Sequence, residues 1–186
     1  MRAAPSRLNK RERPLGGRSQ SDLGAVMNST RRFAGVAIAC LAAVGAALVS
    51  QHVFGMQPCP GCVLQRVIYL AIALACGLGL LWRSRTGRLV SIALALLLAV
   101  SGIAAALWQH FQAAASASCN LTLADKIVSG WLQLDSLLPD VFSPRASCAD
   151  AAVNLFGVPY DFWSLALFIA IDGVLTLALI TTSRRA

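Results

Sequence analysis

The chain has 186 residues, 57% of them hydrophobic and only 13% charged, with a mean hydropathy of +0.67. Soluble domains carry about 25% charged residues, so this composition excludes an ordinary water-soluble globule and points to lipid. The net charge of +8 does not indicate a nucleic-acid partner, because the basic residues cluster at the ends of apolar segments.

Residues 1–32 form a basic tail that reads as disordered, polar and without periodicity up to residue 26, with Met27 as an alternative start. The first apolar segment runs from Phe33 to Ser50 and is dense in small residues (Ala34, Gly35, Ala39, Ala42, Ala43, Gly45, Ala46), which let helices approach closely. Ser29-Thr30-Arg31-Arg32-Phe33 ahead of it resembles a twin-arginine export signal, whose cleavage would leave three helices. The short outer loop at 51–62 argues against cleavage, since it carries the chain's most reactive motif. A second span runs from Val63 to Trp82, a tight basic turn occupies Arg83 to Arg88, and a third span runs from Leu89 to Trp108. A second outer loop covers 109–161, the fourth span runs from Phe162 to Ile180, and residues 183–186 end the chain. Each span has the roughly 20 residues that a ~30 Å hydrocarbon layer needs, and lipid offers the backbone no hydrogen bonds, so each must be a helix. The predicted fold is an all-α membrane protein, with residues 33–182 forming one four-transmembrane-helix bundle. Trp82, Trp108 and Trp163 fall at span ends, where interface anchors belong.

Thirteen of the sixteen basic residues lie in the tail, the inner turn and the C-terminus, leaving only Arg66, Lys126 and Arg145 on the other face. The positive-inside rule then puts both termini in the cytoplasm and both loops outside, in an oxidising space. Within loop two, Ile127, Trp131, Leu134 and Leu138 line one face of a helix stopped by Pro139, which predicts a short membrane-surface helix. A small soluble subdomain is the other reading of that pattern.

Four of the six cysteines face outward: Cys59 and Cys62 in loop one, Cys119 and Cys148 in loop two. Zinc would need a second close pair or suitably spaced histidines, and neither exists. Structural disulfides and redox-active disulfides remain. The second is favoured because Cys62 and Arg66, at i and i+4, share one helix face, and a nearby cation together with the helix N-terminus stabilises the reactive thiolate. An arginine so close to hydrocarbon is costly and tends to be functional; an interface anchor is its alternative role. Gln65 either adds a hydrogen-bond donor there or faces headgroups. Cys40 and Cys76 fall inside spans and read as small buried apolar residues. Two outward pairs permit a relay of thiol–disulfide exchange. The electrons must then leave within the membrane, and with no flavin, haem or iron–sulfur signature a lipid-soluble quinone fits.

Pro58-Cys59-Pro60-Gly61-Cys62-Val63-Leu64-Gln65-Arg66 resembles the signature of the bacterial disulfide bond formation protein B (DsbB) family. Loop two is similar as well: Cys119, Trp131-Leu132-Gln133-Leu134, Pro139, Phe142, Ser147-Cys148-Ala149, Phe156-Gly157 and Trp163. The resemblance covers about residues 33 to 182. It implies an inner-membrane thiol:quinone oxidoreductase that reoxidises a periplasmic thiol oxidase of the DsbA type. Cys119 would be attacked by that partner, Cys148 would pair transiently with Cys59, and Cys62 would pass electrons to ubiquinone or menaquinone, with Arg66 on a quinone carbonyl. His110 lies near where the family's quinone site falls; a hydrated interface histidine is its other reading. His52 has no assigned role. Asp172, inside the fourth span, either relays protons or sits neutral between helices, and the neutral role is the favoured one. Two further functions compete: a reductase passing electrons outward, which would need Cys40 and Cys76 to pair, and a disulfide-stapled scaffold.

Overall fold

The computed structural model of the chain describes residues 20–82, 84–113, 126, 130, 133–146, 154, 155 and 157–183. Four long helices dominate: α1 (Gln20–Val53), α2 (Pro60–Leu81), α3 (Arg85–Trp108) and, after loop two, α6 (Tyr160–Ser183). Loop two contributes two single-turn helices, α4 (Leu134–Leu137) and α5 (Pro139–Phe142), and a minimal antiparallel pair, β1 (Asn154–Leu155) with β2 (Val158–Pro159). All four long helices are long and apolar enough to cross a membrane.

Local chemistry sets where the inner helices begin. α2 starts at Pro60, whose fixed φ suits the first helical position and whose missing N–H would have no partner there anyway. α3 is capped by Ser84, whose Oγ accepts from Gly87 N at 3.1 Å. The bundle packs α1 on α2, α2 on α3 and α3 on α6, while α1 and α6 touch more sparingly. Phe33, Cys40, Ile72, Cys76, Ile92, Phe168 and Leu175 form its apolar centre. Tyr69 stacks on Phe168 with ring centroids 4.2 Å apart, and its hydroxyl donates to Ser164 O at 3.1 Å. Phe168 fits because Gly102 presents no side chain; a Cβ there would run into the ring. Leu41, Val49, Leu74, Leu97, Ile169 and Leu177 point outward, as lipid-facing residues should.

The two ends of the bundle differ in charge. At one end Arg32 donates to Leu177 O and Thr181 Oγ1, both at 3.0 Å, and Arg85 reaches Thr182 O and Ser183 O at 3.5 and 3.4 Å. Cationic groups on the last carbonyls of α6 complement its dipole. The C-x-x-C motif lies at the opposite end.

Several boundaries differ from the sequence expectation. α1 begins at Gln20, so residues 20–32 are helical where a disordered tail was expected, because a helix has no reason to stop where apolarity does. Residues 1–19 lie outside the described residues. Loop one narrows from 51–62 to the six residues 54–59 between α1 and α2. Pro139 both stops one helix and starts the next: the backbone leaves the helical region at Leu138 (φ −141°), and α5 begins with the proline at its first position. Of the predicted surface helix, Leu134 opens α4 and Leu138 precedes α5, whereas Ile127 and Trp131 lie outside the described residues.

Candidate functional site

Cys59 is the N-cap of α2. Its sulfur accepts from Cys62 N at 3.3 Å, and the two sulfurs lie 2.7 Å apart. One turn of helix makes this juxtaposition: Pro60 fixes the start, and Cys62, three residues beyond Cys59, comes round onto the cap. Cys59 is fully buried and Cys62 partly exposed, so the pair presents its second sulfur. The N-terminus of α2 adds a positive potential that favours a sulfur anion there.

Behind Cys62 stands a buried polar network. Past Trp108 the chain opens into a π-helical turn, Gln109–Ala113, and Gln109 N is shared between Ala105 O and Ala106 O. Such turns recur at functional sites because the wider winding re-aims a side chain. Gln109, where α3 passes into this turn, faces the C-x-x-C. Gln109 Nε2 donates to Asp161 Oδ1 at 2.7 Å and to Cys62 Sγ at 3.5 Å, while Gln65 Nε2 donates to Gln109 Oε1 at 3.0 Å. A carboxylate only accepts, which orients the amide. Gly61 makes room for it: a Cβ at that position would collide with the Gln109 carboxamide. Next along, His110 Nδ1 lies 3.9 Å from Asp161 Oδ2, and its ring is 4.6 Å from Phe162 and 5.1 Å from Phe111.

Arg66 is buried and serves a second network. Nη1 donates to Gln51 Oε1 at 2.8 Å and to Val141 O at 2.9 Å, and Nη2 donates to Ala47 O at 3.3 Å. Gln51 Nε2 in turn donates to Asp140 O at 3.0 Å. These bonds hold α5 down on the heads of α1 and α2, and Phe142 completes the seal by burying itself against Val63. The chain leaving α5 stays attached, since Arg145 N and Ala146 N both donate to Pro58 O, at 3.0 and 3.3 Å. Loop two is thereby tied to the residue just before Cys59.

The sequence-predicted residues therefore divide. Cys59, Cys62, Gln65 and His110 share one cluster, and Gln65 faces this buried network rather than headgroups. Arg66 belongs to the adjoining one, and the side chain that reaches the Cys62 sulfur is Gln109 rather than the arginine. Cys119 and Cys148 lie outside the described residues. His52 bonds its own helix at Leu48 O, 2.9 Å away, and Asp172 is half-buried in α6. Sequence reasoning missed Gln51, Gln109 and Asp161. The only signal was position, since all three are polar residues at the end of a span on the C-x-x-C side.

Four membrane-length helices with a cysteine pair and buried polar groups at one end define a multi-pass membrane protein equipped for thiol chemistry. The family model for Disulfide bond formation protein DsbB matches residues 29–179. The chain is 38% identical over 151 residues to Disulfide bond formation protein B 1 of Pseudomonas savastanoi pv. phaseolicola, covering 80% of this chain and 87% of that one. It is 34% identical over 142 residues to Disulfide bond formation protein B of Aromatoleum aromaticum, covering 74% and 84%. Against the protein of that name from Ralstonia nicotianae it is 33% identical over 159 residues, covering 85% and 98%. The chain belongs to the DsbB family and is a membrane oxidoreductase of disulfide bond formation.

Proposed function

We propose that the protein passes two electrons from a periplasmic thiol oxidase of the DsbA type through Cys119/Cys148 and then Cys59/Cys62 to ubiquinone or menaquinone. It would do so in the bacterial inner membrane with both termini cytoplasmic. The observation that carries this reading is the attachment of Arg145 N and Ala146 N to Pro58 O. Cys148 stands two residues beyond Ala146, a reach of at most about 7 Å of chain, and Cys59 is the next residue after Pro58. That tether supports exchange between the two pairs.

The relay balances as follows. A partner thiolate attacks the Cys119 sulfur of a Cys119–Cys148 disulfide, and Cys148 leaves with the electron pair. Cys148 attacks Cys59, the Cys59–Cys62 bond breaks, and Cys62 leaves as a thiolate. The second partner thiol attacks its own mixed disulfide and releases Cys119, and Cys119 then attacks Cys148, re-forming Cys119–Cys148 and releasing Cys59, so that the Cys59/Cys62 dithiol is left to give its two electrons to the quinone and close again. Overall, partner dithiol and quinone become partner disulfide and quinol, with two electrons and two protons transferred. A bound quinone supplies the two-electron, two-proton acceptor at the lipid boundary. The residues suit one: His110 with Phe162 and Phe111 offers an aromatic wall and a ring N–H, open at the bundle surface and linked through Asp161 and Gln109 to Cys62. Arg66 holds α5, and its charge one helical turn beyond Cys62 favours an electron-rich carbonyl oxygen.

Removing Cys148 tests the order of the relay. Cys148→Ala mixed with oxidised partner is expected to form a covalent adduct on Cys119, whose thiolate attacks the partner's disulfide and displaces one partner sulfur while no Cys148 is present to displace the partner again; the adduct is visible on a non-reducing gel and released by a reductant. An adduct on Cys59 instead would reverse the assigned direction between loops.

A further inference from the structure

We propose that Gln109 is a catalytic residue of the chemistry at Cys62, its carboxamide giving one N–H to the sulfur and the other to Asp161 so that the thiolate is held once Cys59 bonds elsewhere. This rests on the reading of the two cysteine pairs as a relay. In that relay Cys59 forms a bond to Cys148, the Cys59–Cys62 bond breaks, and the electron pair stays on Cys62. A leaving sulfur anion needs a donor in place when the bond breaks, and in a partly buried site water supplies that poorly. Donation to the charged form stabilises it.

Three features single out Gln109. It is itself buried, and its nitrogen lies within reach of both acceptors, 3.5 Å from Cys62 Sγ and 2.7 Å from Asp161 Oδ1. Its oxygen is held by Gln65, so the amide is braced from α2 as well as from α6. Finally, the motif makes space for it, since any side chain at position 61 would strike the carboxamide. The charged and titratable groups around Cys62 are Cys59, Asp161 with its His110 neighbour, and Arg66 one turn along α2. Asp161 alone would repel a thiolate. The neutral two-donor amide lies between the two anions and satisfies both, which neither a charged residue nor an apolar one would do.

The test uses the full chain in detergent with Cys62 as its one remaining cysteine. Ser replaces Cys59, preserving an N-cap, and Ala replaces the other four cysteines. The rate of alkylation by iodoacetamide is followed against pH. Gln109→Met keeps the volume and removes the donor. It is expected to react about tenfold more slowly near pH 7 and to converge with its parent at high pH, where every thiol is ionised. Profiles that superimpose throughout would overturn the assignment. So would a deficit of equal size at every pH, because that marks lost access rather than lost stabilisation of the anion. If Gln109→Met does not fold, Gly61→Ala, which pushes the carboxamide aside, carries the test with the same two outcomes. The readout needs neither quinone nor thiol partner. Its failure would leave the electron route standing, and a failed Cys148→Ala trap would leave this assignment standing.

Discussion

Two pairs of cysteines occupy the same helical bundle in opposite surroundings. Cys40 on α1 and Cys76 on α2 are fully buried in the apolar centre with Phe33, Ile72 and Phe168. Cys59 and Cys62 stand at the head of α2, with the helix N-terminus beneath them and Gln109 against the second sulfur. A thiol in hydrocarbon-like packing behaves as a small apolar side chain, because nothing there supports its anion. The same group at a helix start, beside an amide donor, is placed to react. Neighbours rather than residue type distinguish the two pairs. The polar end of the bundle also ties loop two to the residues around loop one, through Arg66, Gln51 and Pro58.

The largest effect expected from breaking this contrast comes from the reactive pair. Cys62→Ala should abolish quinone reduction while the partner still forms its adduct on loop two, measured by quinone absorbance and non-reducing gels. Residual quinone reduction would move the exit of electrons to another sulfur. Arg66→Lys comes next. An ammonium cannot serve Gln51, Val141 O and Ala47 O as a planar fork does. The apparent KM for quinone should rise about tenfold or more, a loss of roughly 1.4 kcal/mol. Unchanged quinone kinetics with slowed exchange between loops would make the arginine a latch alone. Gln51→Leu removes an acceptor from Arg66 and a donor from Asp140 O, at a cost of about 1–3 kcal/mol. Trypsin should then cut faster at Arg145 in the detergent-solubilised protein, and an unaltered cleavage rate would show that Phe142 holds α5 unaided. The smallest effect is expected at the buried pair: Cys40→Ala and Cys76→Ala should leave turnover within about twofold. Complete loss of activity with normal folding would revive a reductase that carries electrons outward.

Hydropathy and charge alone set the number of helices, because a backbone in lipid has no choice but to satisfy itself. The motif's position was equally legible, since Pro60 after a cysteine and before an apolar run marks a helix start. Family membership followed from the same nine residues, 58–66, together with the loop-two cysteines. Gln109 was not legible: it lies 47 residues from Cys62, and only the packing of α3 against α2 brings its amide to the sulfur. Arg66 was visible as an unusual charge, but its acceptors come from α1 and from α5, which no local pattern connects to it. Apolar burial depends on the average character of a segment and can be read along the chain. A buried hydrogen bond depends on the meeting of two particular atoms from distant segments, and only the tertiary structure decides which ones meet.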